Sequence, residues 1–117
     1  MVASKPRSNE AAKSFTLDGL RSRAPKKAYE EFLRVPSMSL GVYHLGKGTK
    51  DPQSPHREDE VYVVLRGRAS LEVAGRRFEA TPGAILFVAA GADHRFVDIQ
   101  EDLEVLVFFA PAESAPA

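Results

Sequence analysis

The chain has 117 residues, with 16 Lys plus Arg balanced by 16 Asp plus Glu and no cysteine. That length suits one folded unit around a single core. The balanced charge offers no general attraction for nucleic acid or an anionic membrane, and the missing thiols exclude disulfides, thiolate metal ligands and a cysteine nucleophile. No run of about 18 apolar residues occurs and the polar stretch from Met1 to Ser14 has no apolar signal region. The expectation is a cytoplasmic protein whose partner is a small molecule.

In chain order, residues 1–14 are rich in Ser, Ala and charge and lack aromatics. They bury too little to offset the entropy of ordering and are expected to form a disordered tail. Residues 15–38 form an N-terminal arm. Within it Tyr29, Phe32 and Leu33 fall at helical spacing between Pro25, suited to a first turn, and Pro36, a stop. This spacing predicts a short helix from Pro25 to Arg34; an extended Glu31–Val35 pairing with a sheet edge is the competing reading.

From residue 39 to 111 the pattern is that of strands and turns. Leu40–Leu45, Val61–Arg66, Ser70–Val73, Arg77–Ala80, Ile85–Val88, His94–Ile99 and Leu103–Phe109 are short β-branched or aromatic runs. Gly46, Gly48, Gly67, Ala74-Gly75, Thr81-Pro82-Gly83 and Gly91 separate them, with no room for crossover helices. An antiparallel sandwich or barrel follows. Residues 112–117 are a Pro/Ala-containing C-terminal tail, expected to be loose beyond Pro111.

Two of the chain's three histidines lie in a patterned setting. Gly48 is followed after five residues by Ser54, Pro55 and His56; three residues then separate His56 from Glu60, and six separate Glu60 from Gly67. Further on, Gly83, Ala89, Gly91, His94 and Asp98 form a second set. On one straight strand His56 and Glu60 would be about 13 Å apart, too far to share an ion at ~2 Å from each. The chain must bend between them, and Pro55 with Arg57-Glu58-Asp59 offers the turn.

Over residues 39–110 this pattern resembles the cupins, a superfamily of small double-sheet β-barrels. Gly48, His56, Glu60 and Gly67 match the first cupin motif, and Gly83, Gly91 and His94 the second, in which Ala89 replaces a proline and Asp98 an asparagine. The resemblance implies an all-β jelly-roll barrel, a homodimer built by sheet-edge pairing, and a divalent transition metal, Fe, Mn, Ni or Zn, held by His56, Glu60 and His94. One departure affects the ligand set, because Ser54 occupies the position of the first motif histidine. Gln53 through its amide oxygen, Ser54 through water, or water alone are the alternatives for a fourth ligand, with Gln53 favoured.

Tyr62 shares strand parity with Glu60, and Phe96 with His94, so both are candidate walls of a substrate pocket, together with Tyr43 or Phe108. Core packing is the competing explanation for each. His44 shares parity with Val42 and is expected to be a packed or surface histidine rather than a ligand. Ser54 lacks the strand-to-helix elbow of a serine hydrolase, and Gly46-x-Gly48 precedes no helix able to hold a phosphate. Three activities remain open: a metal-dependent dioxygenase, isomerase or lyase acting on a small polar molecule; a ligand-binding or sensor cupin without catalysis; and a metal-free sugar epimerase or isomerase using His94 and Tyr62 as base and acid.

Overall fold

The computed structural model describes residues 11–21, 28–52 and 55–114. They form one short helix, α1 (Leu17–Arg21), and six strands: β1 (Tyr29–Val35), β2 (Met38–Leu45), β3 (Asp59–Val73), β4 (Arg76–Ala80), β5 (Ile85–Val88) and β6 (His94–Ala110). The N-terminus of α1 is capped by Thr16, whose Oγ1 accepts the Gly19 amide at 3.0 Å. Leu20 is the buried residue of the helix, and Arg21 reaches Glu104 at 2.9 Å.

All pairings are antiparallel, in the order β1-β2-β6-β3-β4, with β5 joining β3. The long pair β3 and β6 runs through the whole fold. Its first-half residues Glu60–Val63 also pair with β5, and its second-half residues Ala69–Val73 with β4. Each long strand changes the face it turns inward partway along. In β3 the buried residues are Glu60, Tyr62 and Val64 before Gly67, then Ala69 and Leu71 after it. Gly67 has φ +93°, and a Cβ there would overlap the backbone carbonyl of Asp102. In β6 the buried set passes from His94 and Phe96 to Ile99, Leu103, Val105, Val107 and Phe109, across Asp98 at φ 51°. Such irregularities bend a strand and re-aim its side chains, so both halves present their apolar face to one core, built around Tyr62, Leu71, Phe96, Val105 and Phe109.

The β1 segment corrects the expected helix. Residues 29–35 are a strand paired with β2, as in the competing extended reading, with a register shift between Glu31 and Leu33. Residues three apart point to opposite faces of a strand, and the contacts differ accordingly: Tyr29 packs on Tyr43 and Phe109, Phe32 on Phe15. That spacing imitates a helical period. Pro25 lies outside the described residues. The separate runs expected on either side of Gly67, and on either side of residues 100–102, are likewise single bent strands.

The tail is also more ordered than expected over residues 112–114. The Ala112 amide donates to the Pro36 carbonyl at 3.3 Å, the Glu113 amide to Ser39 Oγ at 2.9 Å and the Ser114 amide to Glu58 Oε2 at 3.0 Å. Among the described residues, no helix is long and apolar enough to cross a membrane.

Candidate metal centre

His56, Glu60 and His94 come together inside the barrel, their ligand-type atoms all within 4.8 Å of one another. Glu60 is the second residue of β3 and is 1% exposed. His94 begins β6 and is 2% exposed. The chain bends at Arg57 and Glu58, immediately before β3, and so returns His56 beside Glu60, as the spacing argument requires. Two hydrogen bonds hold this bend against the loop that leads into β6: the Gly91 amide donates to the His56 carbonyl at 2.7 Å, and the Ala90 amide to Asp59 Oδ1 at 2.9 Å.

Glu60 Oε1 lies 3.1 Å from His94 Nε2 and 3.6 Å from His56 Nε2. The Ala92 carbonyl sits 2.9 Å from His94 Nδ1, and because a carbonyl can only accept, that nitrogen carries a proton. In the neutral ring Nε2 therefore turns a lone pair toward the carboxylate, and among the described residues neither Glu60 oxygen then has a hydrogen-bond donor. Two acceptors facing each other in a buried site need a cation between them, a proton or a metal ion. His94 accordingly binds a proton more tightly than an ordinary histidine: burial, the largest influence, opposes the charge, but Glu60 and the Ala92 carbonyl outweigh it.

The donor set fits a divalent transition metal. Imidazoles and a carboxylate suit Fe, Mn, Ni or Zn, and separations of 3.1 and 3.6 Å fall in the range of roughly 3–4 Å between neighbouring ligands that share an ion with ~2 Å bonds. The expected fourth ligand, Gln53, and its competitor Ser54 lie outside the described residues. His56 is 21% exposed at its side chain while Glu60 and His94 are 1% exposed, so solvent reaches the group from the His56 side.

Aromatic rings surround the three. Phe109 meets His56 edge-on at 5.0 Å, Tyr62 lies 6.3 Å from His94, and Phe96 packs on Tyr62 at 5.0 Å. Tyr62 and Phe96 thus stand where strand parity places them, although both are core residues as much as walls. Tyr43 also faces the core, and its hydroxyl donates to Asp51 Oδ1 at 2.6 Å. Burial, with the Asp51 bond and charge in second place, pushes its acidity well below that of an ordinary tyrosine. Phe109 rather than Phe108 faces the group, because β6 turns Leu103, Val105, Val107 and Phe109 inward. The positive φ at Asp98 takes it away from the face of His94 and out to Nη1 of Arg77 at 2.7 Å. His44 lies outside the group, 3.7 Å from Glu104 on the other face of the sheet.

Three residues at or beside the site were not anticipated. Tyr29 lays its ring over Gly41, where a Cβ would collide with it, and its buried hydroxyl has no hydrogen-bond partner among the described residues. Burial, helped by Glu113, Glu31 and Glu60, raises its pKa. Asp51 accepts from Tyr43 and, through Oδ2, from the Phe96 amide at 2.8 Å. Glu113 Oε2 lies 3.6 Å from His56 Nδ1; burial raises its pKa, with His56 opposing. A cavity of about 300 Å³ lined by Arg21, His44, Arg66 and Glu104 lies elsewhere and touches none of the three candidate ligands; the convergence of His56, Glu60 and His94 is the better guide to chemistry.

Residues 41–109 match the family model of the cupin domain. The chain is 46% identical over 104 residues to the uncharacterized protein SCO3923 of Streptomyces coelicolor, an alignment spanning 87% of this chain and 99% of that protein. Its fold is similar to that of TT1209 from Thermus thermophilus, with TM-score 0.70 and 23% identity over 86% of this chain and 99% of that one. It is also similar to the cupin domain of Cnp3 from Schizosaccharomyces pombe, with TM-score 0.70 and 16% identity over 79% and 71%, and to KdgF from Halomonas sp., with TM-score 0.64 and 19% identity over 71% and 76%. The motif spacing, the barrel and the family match agree: the chain belongs to the cupin domain family.

Proposed function

We propose that this cupin is a metal-dependent enzyme of dioxygenase, isomerase or lyase type, acting on a small polar molecule, with His56, Glu60 and His94 as ligands to Fe, Mn, Ni or Zn. The observation that carries the reading is the convergence of His56 and His94 on the buried Glu60 carboxylate, which has no hydrogen-bond donor among the described residues and faces a histidine nitrogen whose proton lies on the far side of the ring. Such a carboxylate is costly to bury unless a cation accompanies it. When bound, the metal supplies Lewis acidity toward a substrate oxygen and open coordination positions.

The chain's own residues supply the rest. The Ala92 carbonyl fixes the proton of His94 on Nδ1, so the ring offers Nε2 as donor. Phe109, Tyr62 and Phe96 keep the interior around the site apolar and limit water. The opening at His56 is the entrance for a small ligand. For a fourth ligand in place of the histidine that Ser54 replaces, the sequence offers Gln53, Ser54 through water, or water alone; both residues lie outside the described ones.

Elemental analysis of untagged protein, wild type against a His56→Ala/His94→Ala double variant, tests the reading. About one equivalent of one transition metal, lost in the double variant, is the expected result and would direct oxygen-uptake and isomerase screens. No metal after anaerobic reconstitution with Fe, Mn, Ni and Zn overturns it in favour of a metal-free enzyme or binding module.

A further inference from the structure

The two imidazoles are oriented by different devices. His94 has its Nδ1 against the Ala92 carbonyl. His56 has its Nε2 toward Glu60 and its Nδ1 toward Glu113, each at 3.6 Å. This is ion-pair range, longer than a hydrogen bond. Glu113 lies beyond the last strand, yet its position is fixed by bonds from several parts of the fold. Its amide donates to Ser39 Oγ at 2.9 Å, its carbonyl accepts from Nη2 of Arg34 at 2.8 Å, and the flanking amides bond the Pro36 carbonyl at 3.3 Å and Glu58 Oε2 at 3.0 Å. Ser39 and Glu58 are 0% and 4% exposed, so the strap is anchored on buried groups. The Glu113 side chain is 13% exposed.

We propose that Glu113 is a positioning residue for the metal centre: the C-terminal strap delivers its carboxylate to Nδ1 of His56 and holds that ring with Nε2 turned toward Glu60 and His94. The inference rests on the proposed metal centre. Its chemistry is general. A histidine that gives one nitrogen to a metal carries its proton on the other, and a carboxylate there fixes the tautomer, orients the ring and makes it a better donor. Phe109, edge-on to the His56 ring at 5.0 Å, restricts its rotation from one side; Glu113 sets which nitrogen points inward. The strap therefore makes the ligand set depend on a residue outside both sequence motifs.

The test uses the full chain as wild type, Glu113→Ala and Glu113→Gln, with Co²⁺ alone as the probe, and nitrogen NMR of the imidazoles in the metal-free proteins at a pH above the histidine range. Glu113→Ala is expected to weaken Co²⁺ binding about 10- to 100-fold and to move His56 from the Nδ1–H tautomer toward the Nε2–H form. Glu113→Gln keeps an acceptor oxygen and is expected to restore most of both. A strap that merely supports the fold would leave the tautomer alone in every variant. Wild-type Co²⁺ affinity and an unchanged tautomer in Glu113→Ala overturn the inference while leaving the metal centre standing. Failure of wild type to bind Co²⁺ overturns the metal centre instead, and the tautomer spectra then decide by themselves whether Glu113 orients His56.

Discussion

The carbonyl of His56 accepts the amide proton of Gly91 at 2.7 Å, so the bend that carries one imidazole is fastened to the turn that precedes the other. Because this tie is made by backbone, it survives loss of either ring. His94→Ala is therefore expected to remove most metal affinity while leaving the β-rich circular dichroism in place. Metal stoichiometry equal to wild type would take His94 out of the site.

Asp51 ties the strand of Tyr43 to that of Phe96 by accepting two buried bonds, at 2.6 and 2.8 Å. Asp51→Ala leaves both donors unsatisfied, at about 1–3 kcal/mol each. Asp51→Asn keeps one acceptor oxygen and should lose less. Urea unfolding checks the order, and an alanine variant as stable as wild type would show that water replaces the carboxylate.

Gly67 combines φ +93° with the close approach of the Asp102 backbone. A Cβ there has no flexible neighbour to push aside, so Gly67→Ala is expected to cost more than about 2 kcal/mol. The melting temperature should fall by roughly 10 °C. A fall of a degree or two would show that the bend in β3 can re-form elsewhere.

Tyr29 presents the opposite case, since its buried hydroxyl has no partner among the described residues. Tyr29→Phe keeps the ring against Tyr43 and Phe109 and removes a group whose desolvation nothing offsets. Stability equal to or above wild type, by up to about 1 kcal/mol, is expected. A clear loss in thermal melting would reveal a bond partner for the hydroxyl in solution.

Much of this protein is legible from residue order, because the signals are local. Alternating β-branched and aromatic residues, cut by glycine turns, specify antiparallel strands, and the spacing of His56, Glu60 and His94 between glycines marks them as a candidate group. The bend between His56 and Glu60 follows from simple lengths. The β1 strand is different: apolar Tyr29 and Phe32 on its two faces imitate a helical spacing, and pairing with β2 overrides the local pattern. Likewise Asp98 keeps strand parity with His94 on paper and loses it where φ turns positive.

Sequence alone determined the barrel class, the two motif histidines with their glutamate, and the departure at Ser54, since each is written in the types and spacings of nearby residues. Tertiary structure decided that Phe109 rather than Phe108 faces His56, that Asp51 joins two strands, that the Tyr29 ring lies over Gly41, and that Glu113 comes to Nδ1 of His56. Those contacts join residues far apart in the chain. They exist only after the bent strands β3 and β6 have paired, and no local periodicity encodes which distant side chain a bend will bring to a buried charge.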